Sequence, residues 1–182
     1  MRKLKTLIYW LLCLLVWIPA CNSQNQIISK EAKLNKTLPQ THLSERLEKL
    51  GLSELSGQVI HLRDSIGKPI FLNFWATWCG PCRSEMATID SISHQFKDEI
   101  IFLLASNEDT IKIQSYLSEN KFDLHFIHLD ISYLDAYVVE LPTTFLIDRN
   151  GQLVSEEEGF RIWTDRGNVE KLSKIVKLGT RN

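Results

Sequence analysis

The chain has 182 residues, 44% of them hydrophobic and 24% charged, proportions that suit one globular domain with an extra segment and exclude two ordinary domains. Its formal net charge is −1; without the basic residues of its first twenty positions, 18 basic and 22 acidic side chains remain, a net charge of −4. A mildly acidic domain has no electrostatic reason to bind nucleic acid or an anionic membrane surface.

Residues 1–20 read as an export signal rather than as part of the fold. Arg2, Lys3 and Lys5 form a basic start, and Leu7 to Ile18 is an unbroken apolar run. Its twelve residues are short for a membrane span and right for a signal-peptide core. The run ends in Ile18-Pro19-Ala20-Cys21, an aliphatic residue, a small one and a cysteine, which resembles a bacterial lipobox. By that resemblance the chain is cut before Cys21 and Cys21 carries the lipid. The alternative is an ordinary signal peptide whose cut falls near a chance cysteine. Either way, the mature protein would lie where disulfides persist, in the cell envelope, facing the periplasm or the exterior.

Residues 21–52 read as a tether and N-terminal extension. The stretch Asn22-Ser23-Gln24-Asn25-Gln26 has linker composition, and Ser44 to Leu50 has leucines at helical spacing (Leu43, Leu47, Leu50). From 53 to the end, strands and helices alternate. Val59 to Leu62 is a short strand, and Gly67-Lys68-Pro69 a turn. Ile70 to Ala76 is a nearly continuous apolar run, as in a strand buried on both faces. A helix is expected from Pro81 to Phe96, with Met86, Ile89, Ile92 and Phe96 on one face, then a strand at Ile100 to Ala105. Thr110 to Glu119 is a helix with Ile113 and Leu117 inward, and Phe126 to Leu129 a short edge strand. Thr143 to Ile147 and Gln152 to Glu157 form a hairpin across Asp148-Arg149-Asn150-Gly151, where Asn-Gly supplies positive φ. Asn168 to Leu178 closes the fold as a helix, and Glu156-Glu157-Glu158 reads as a solvated strand end. Strands interleaved with helices imply a three-layer α/β sandwich.

Of the four cysteines, Cys13 lies in the discarded signal and Cys21 at its cut, leaving Cys79 and Cys82. A pair two residues apart closes too short a loop to stabilise the fold much, so chemistry is the better reason for it. Trp78-Cys79-Gly80-Pro81-Cys82 leaves the end of a buried strand and opens a helix. Helix N-termini present unpaired N–H groups and the positive end of the macrodipole, which favour a thiolate. Cys79 at the helix tip is therefore the exposed attacker and Cys82, one turn inward, the sheltered resolver. Pro81 fits the first turn, where its missing N–H costs nothing.

Other chemistries are poorly served. Zinc needs about four ligands and the pair supplies two, while His42, His61, His94, His125 and His128 show no partner spacing. A c-type haem site needs histidine where Arg83 stands, and copper carriers space their cysteines more widely. Neither metal nor cofactor is expected. A peroxidase of peroxiredoxin type would need a threonine three residues before its cysteine, and none is there. A structural disulfide, or a binding module that merely keeps the fold, stays open.

Asn73-Phe74-Trp75-Ala76-Thr77-Trp78-Cys79-Gly80-Pro81-Cys82-Arg83-Ser84-Glu85 resembles the TlpA/ResA branch of the thioredoxin superfamily, and Leu141-Pro142-Thr143-Thr144-Phe145-Leu146-Ile147-Asp148 is similar to that family's second signature. The resemblance implies a thioredoxin-like three-layer α/β/α sandwich with a mixed central sheet and a thiol–disulfide oxidoreductase. Its catalytic residues would be Cys79, Cys82 and Glu85. Trp78, Gly80, Pro81, Leu141 and Pro142 would bind substrate, with Pro142 cis and facing the cysteines. The implied partners are disulfide- or dithiol-containing envelope proteins and a membrane or periplasmic thiol electron donor. Asn73 stands where thioredoxins proper have a titrating aspartate, and Glu85, a turn beyond Cys82, is placed to shuttle the proton that Cys82 loses. The family often has proline where Ala87 stands, so a straighter helix is expected here.

Overall fold

The computed structural model describes residues 44–178, all within the second of the chain's two compact units, Thr41–Asn182. The export signal expected at 1–20, Cys21 and the expected tether up to residue 43 lie outside the described residues. Chain order is α1 (Glu45–Glu48), β1 (Leu52–Glu54), β2 (Val59–Ile60), a 3-10 turn (Leu62–Ser65), β3 (Ile70–Phe74), α2 (Gly80–Gln95), β4 (Ile101–Ser106), α3 (Thr110–Glu119), β5 (Phe126–Leu129), β6 (Thr143–Ile147), β7 (Leu153–Glu158) and α4 (Arg166–Lys177). The seven strands make one mixed sheet in the order β2-β1-β5-β4-β3-β6-β7. Strands β3, β4 and β5 run parallel in its centre, flanked by antiparallel pairs.

The centre is apolar on both faces because it is covered on both. Phe71, Phe102, Leu104, Phe126 and Leu146 face one layer, where Met86, Ile89 and Ile92 of α2, Ile113 of α3 and Leu172 and Ile175 of α4 pack on them. Their alternates Leu72, Phe74, Leu103, Ile127, Phe145 and Ile147 face a thinner layer. That layer consists of Leu47 and Leu50 at α1, Leu62 of the 3-10 turn, and Ala136 and Val138 of the irregular segment before β6. The three-layer α/β sandwich is present, with unequal outer layers. Helix α2 runs unbroken past Ala87, and all four of its expected inward residues are buried.

Three readings change. Strand β5 is not an edge: β1 pairs antiparallel with its outer side, Ser53 opposite His128, and β1 shows no pattern in its three residues that would announce it. The β6–β7 turn uses one positive φ rather than two. Only Gly151 takes it (φ 78°), because the Asp148 carboxylate accepts from the N–H groups of Asn150 and Gln152 at 2.9 Å and shapes a longer loop. Finally, Glu156-Glu157-Glu158 is not a solvated end. Strand alternation turns Glu157 inward, where Lys171 and Arg161 neutralise it, while Glu156 pairs with Arg46.

Arg46 joins α1 to the rest. Its guanidinium donates to both Glu156 oxygens at 2.7 and 2.9 Å and to the Tyr137 carbonyl at 2.9 Å, and stacks 4.4 Å from the Phe145 ring centroid. Arg46→Met keeps the stem and loses the charge, the fork and the stacking. Urea unfolding is expected to show a loss of about 2 kcal/mol with unchanged slope. A loss under about 0.5 kcal/mol would mean that α1 is not part of the cooperative unit.

Candidate active site

The parallel strands β3 and β4 end on the same side of the sheet, and the chain that leaves β3 there carries the cysteines. Trp75 is fully buried against Tyr116 and Phe126, and its N–H still bonds the Ala105 carbonyl at 3.1 Å. The next residues are held from behind. The Tyr133 hydroxyl donates to the Trp75 carbonyl at 2.6 Å. Glu108, just past the end of β4, accepts from the Thr77 N–H at 2.5 Å and from its hydroxyl at 2.9 Å. Burial would push the Glu108 carboxyl up, but Lys112 and the two Thr77 donors outweigh it and hold it below the ordinary range. Sequence reading missed this brace. Its signal was the polar run Ser106-Asn107-Glu108-Asp109 that ends a buried strand.

Cys79 is the N-cap of α2. Its backbone is extended, and its Sγ accepts the Cys82 N–H at 3.2 Å, where a serine or aspartate oxygen usually sits. Pro81 occupies the first turn. Cys79 and Cys82 form a disulfide with an S–S distance of 1.99 Å, so the oxidised state is the one seen. Cys79 is the less covered of the two, 4% exposed against 1% for Cys82, but it is not the open thiol expected. It is bonded to Cys82 and belongs to the apolar cluster shared with Ala76 and Met86. Trp78, by contrast, is 66% exposed beside it, and Gly80, Pro81 and Arg83 lie at the surface.

The second signature arrives from β6. Thr143 pairs with Phe74, so Pro142 lies one register step on, across from Trp75 and at the cysteine end of the sheet. The Leu141–Pro142 bond is cis, and Leu141 packs on the cluster that holds both cysteines.

Glu85 lies one turn beyond Cys82 on the buried side of α2 and is only 1% exposed. The Asn73 amide donates to its Oε1 at 2.8 Å and the Arg161 N–H to its Oε2 at 3.0 Å. Asn73 also donates to the Thr144 hydroxyl at 2.9 Å. Burial pushes the Glu85 carboxyl from its ordinary 4.5 up to about 7, against the Arg161 N–H, the Asn73 amide and the Arg161 charge, which pull it down. The Trp163 indole N–H adds a favourable dipole without reaching hydrogen-bond geometry. A carboxyl with that midpoint is half ionised near neutrality and is able to accept and return a proton beside the thiols. Among the described residues, no group of three or more His, Cys, Asp or Glu side chains is arranged to hold a metal ion.

The model of the Redoxin family matches residues 18–173. The thiol-disulfide oxidoreductase ResA of Bacillus thuringiensis subsp. konkukian is 35% identical over 129 residues, 69% of this chain and 73% of that one. The ResA of Halalkalibacterium halodurans is 34% identical over 132 residues, 69% of this chain and 72% of that one. Among solved structures, a candidate thiol-disulfide oxidoreductase from Bacteroides vulgatus superposes with a TM-score of 0.61 at 26% identity, covering 69% of this chain and 90% of that one. The exposed lipoprotein thioredoxin of Streptococcus pneumoniae shares the fold, with a TM-score of 0.56 at 24% identity over 70% of this chain and 96% of that one.

A carboxyl whose folded midpoint lies above its unfolded one keeps its proton longer in the folded state. The stability Glu85 contributes is therefore complete below 4.5 and lost as pH rises through about 7. Glu85→Gln is expected to remove that slope and to gain on the order of 3 kcal/mol relative to wild type between about pH 5 and about pH 8. Urea unfolding of both oxidised proteins at the two pH values measures it. An unchanging difference between them would show that the carboxyl is not raised.

Proposed function

The chain belongs to the Redoxin family and is a thiol–disulfide oxidoreductase of the ResA type, and we propose that it works outside the cytoplasm, reducing disulfides in proteins of the cell envelope. The observation that carries the reading is the Cys79–Cys82 disulfide at the N-terminus of α2, with the buried carboxyl of Glu85 one turn behind Cys82. A structural staple has no use for such a carboxyl.

In the proposed cycle the reduced protein meets an oxidised substrate. Cys79 thiolate attacks one sulfur of the substrate disulfide, and the other sulfur leaves as a thiolate that takes up a proton from solvent. Cys79 is now joined to the substrate. The Cys82 thiol gives its proton to Glu85, and its sulfur attacks Cys79. The second substrate sulfur leaves with the electron pair of the broken bond and takes a proton. Two electrons have moved from the cysteine pair to the substrate, and the Cys79–Cys82 disulfide remains. A membrane or periplasmic dithiol donor returns those electrons. Leu141 and Pro142 line the substrate's backbone, and no described residue bonds the Leu141 N–H or carbonyl. Trp78, Gly80 and Pro81 form the rim on the other side.

The envelope location rests on the export signal at 1–20 and the lipobox-like Ile18-Pro19-Ala20-Cys21, with Cys21 as the lipidated residue. No helix among the described residues is long and apolar enough to cross a membrane. Cytochrome c maturation and general thiol repair are the two substrate settings that fit such a reductant.

Cys82→Ser is expected to accumulate covalent mixed disulfides with envelope proteins, absent from Cys79→Ser/Cys82→Ser, when extracts are resolved without reductant. Extracts of Cys82→Ser free of such adducts would defeat this cycle. Titration of the pair in thiol buffers, read by Trp78 fluorescence, is expected to give a strongly reducing two-electron transition; a distinctly oxidising one would make the protein a disulfide donor. Cys21→Ser is expected to move the protein from the membrane fraction to the soluble one, and retention at the membrane would remove the lipid anchor from the reading.

A further inference from the structure

The register of the sheet sets three polar side chains in one row. Asn73 of β3 lies opposite Thr144 of β6, and Thr144 opposite Glu157 of β7, so all three point into the layer that holds α2 and α4. All three are buried. Two groups lie above the row: Glu85 over Asn73, and Arg161 over Glu157. Arg161 belongs to residues 159–165, which join β7 to α4. Its backbone N–H is one of the two hydrogen-bond donors on the Glu85 carboxyl, and its guanidinium pairs with Glu157 at 2.8 Å. Glu157 is fixed in turn by Lys171 of α4 and by the Ser155 hydroxyl. The polar groups thus form one chain: Thr144, Asn73, Glu85, Arg161, Glu157, Lys171.

The segment is pinned at both ends. Gly159 takes a φ of 76°, which favours glycine, and its N–H donates to the carbonyl of Pro142 at 2.8 Å. Past Arg161, the Trp163 N–H bonds the Thr88 hydroxyl at 3.2 Å, and its buried indole stacks edge-on against Phe71. Arg161 thus meets Glu85 through its backbone N–H and Glu157 through its guanidinium. The other groups facing Glu85 are Asn73 from β3, Trp163 from the same segment and Cys82 a turn earlier on α2. None is a cation, so the positive charge compensating a Glu85 carboxylate comes from Arg161.

We propose that Arg161, locked by Glu157 and Lys171, is a positioning residue that orients the Glu85 carboxyl and supplies its compensating charge. The proposal rests on the reading of Glu85 as the proton acceptor for Cys82. It ties that acceptor to the segment that meets the Pro142 carbonyl, so the two halves of the substrate site share one support.

The test uses the full oxidised chain, with the Glu85 side-chain carboxyl carbon followed by 13C NMR as a function of pH. Arg161→Met keeps the aliphatic stem and the backbone N–H while removing the charge and the hold on Glu157. It is expected to raise the Glu85 midpoint by about half a pH unit or more, and Arg161→Lys to restore most of it. An unmoved midpoint in a folded Arg161→Met protein, or an equal rise in Arg161→Lys, overturns the proposal. A second measurement keeps its premise separate. The rate at which Cys82 resolves a mixed disulfide between Cys79 and a small disulfide-linked peptide is measured against pH in wild type, Glu85→Gln and Arg161→Met. The profile is expected to flatten in Glu85→Gln and to shift alkaline in Arg161→Met. A Glu85→Gln profile identical to wild type overturns the premise, even where the NMR midpoint has moved.

Discussion

Everything at this site is arranged around one cost, that of a carboxyl group enclosed between a helix and a sheet. Glu85 lies on the face of α2 that carries Met86 and Ile89, where a helix of this kind ordinarily presents only apolar groups. A carboxylate there loses its water and needs donors from the protein instead. Two are supplied, from Asn73 and Arg161, and they do not fully offset the burial, which is why the midpoint stays near neutrality. The identity of residue 73 follows. An aspartate at this place would set two carboxyls within hydrogen-bond reach and force one of them to stay protonated. Asparagine instead donates, and its amide serves both Glu85 and Thr144. Moving the titrating group from the strand to the helix thus carries with it a neutral donor on the strand.

The cysteines need a different support. An N-cap sulfur is positioned by the backbone in front of it, and that backbone lies beyond the end of the β3 ladder. Irregular chain at the end of a sheet has N–H and carbonyl groups to satisfy. Here the neighbouring parallel strand provides: Glu108 follows β4 directly and takes the Thr77 donors, and Tyr133 reaches Trp75 from the opposite layer. Parallel strands bring their C-terminal loops together, so the residues after β4 fall beside the residues after β3. The brace is a consequence of topology as much as of sequence.

This explains what was legible in the chain and what was not. Asn73, Glu85 and the Leu141-Pro142 signature lie in short motifs whose roles were legible only through the family resemblance, whereas the cysteine pair is local, and a helix start after a buried strand is enough to read it. The inward faces of α2 and α4 are legible for the same reason, since their period is written in consecutive residues. Glu157 is different. A run of three glutamates looks solvated, and only the alternation of β7 against β6, with Lys171 on a later helix, makes the middle one buried. Strand β1 is three residues defined by its partner, which makes β5 interior. Arg46 bonds the Tyr137 carbonyl and a glutamate 110 positions away. Cys79 is disulfide-bonded and buried, and no sequence states its oxidation state.

The oxidation state also changes what Glu85 faces. In the disulfide the pair has no proton to exchange, and the carboxyl titrates against Arg161 and its neutral neighbours. On reduction, two sulfurs regain proton sites, Cys82 one turn away and Cys79 nearly two, and a thiolate at either is a like charge that favours the protonated carboxyl. The groups then titrate as a set, and their midpoints belong to the cluster rather than to one side chain. Linkage makes the relation reciprocal: if reduction strengthens proton binding at Glu85, protonation of Glu85 favours the reduced pair. Cys82 is only 1% exposed, so on the proposed cycle a carboxyl one turn away is a nearer proton acceptor for it than water. In the proposed cycle, the buried carboxyl that is unfavourable for the fold at neutral pH is also the group that would take the proton inside the helix–sheet interface.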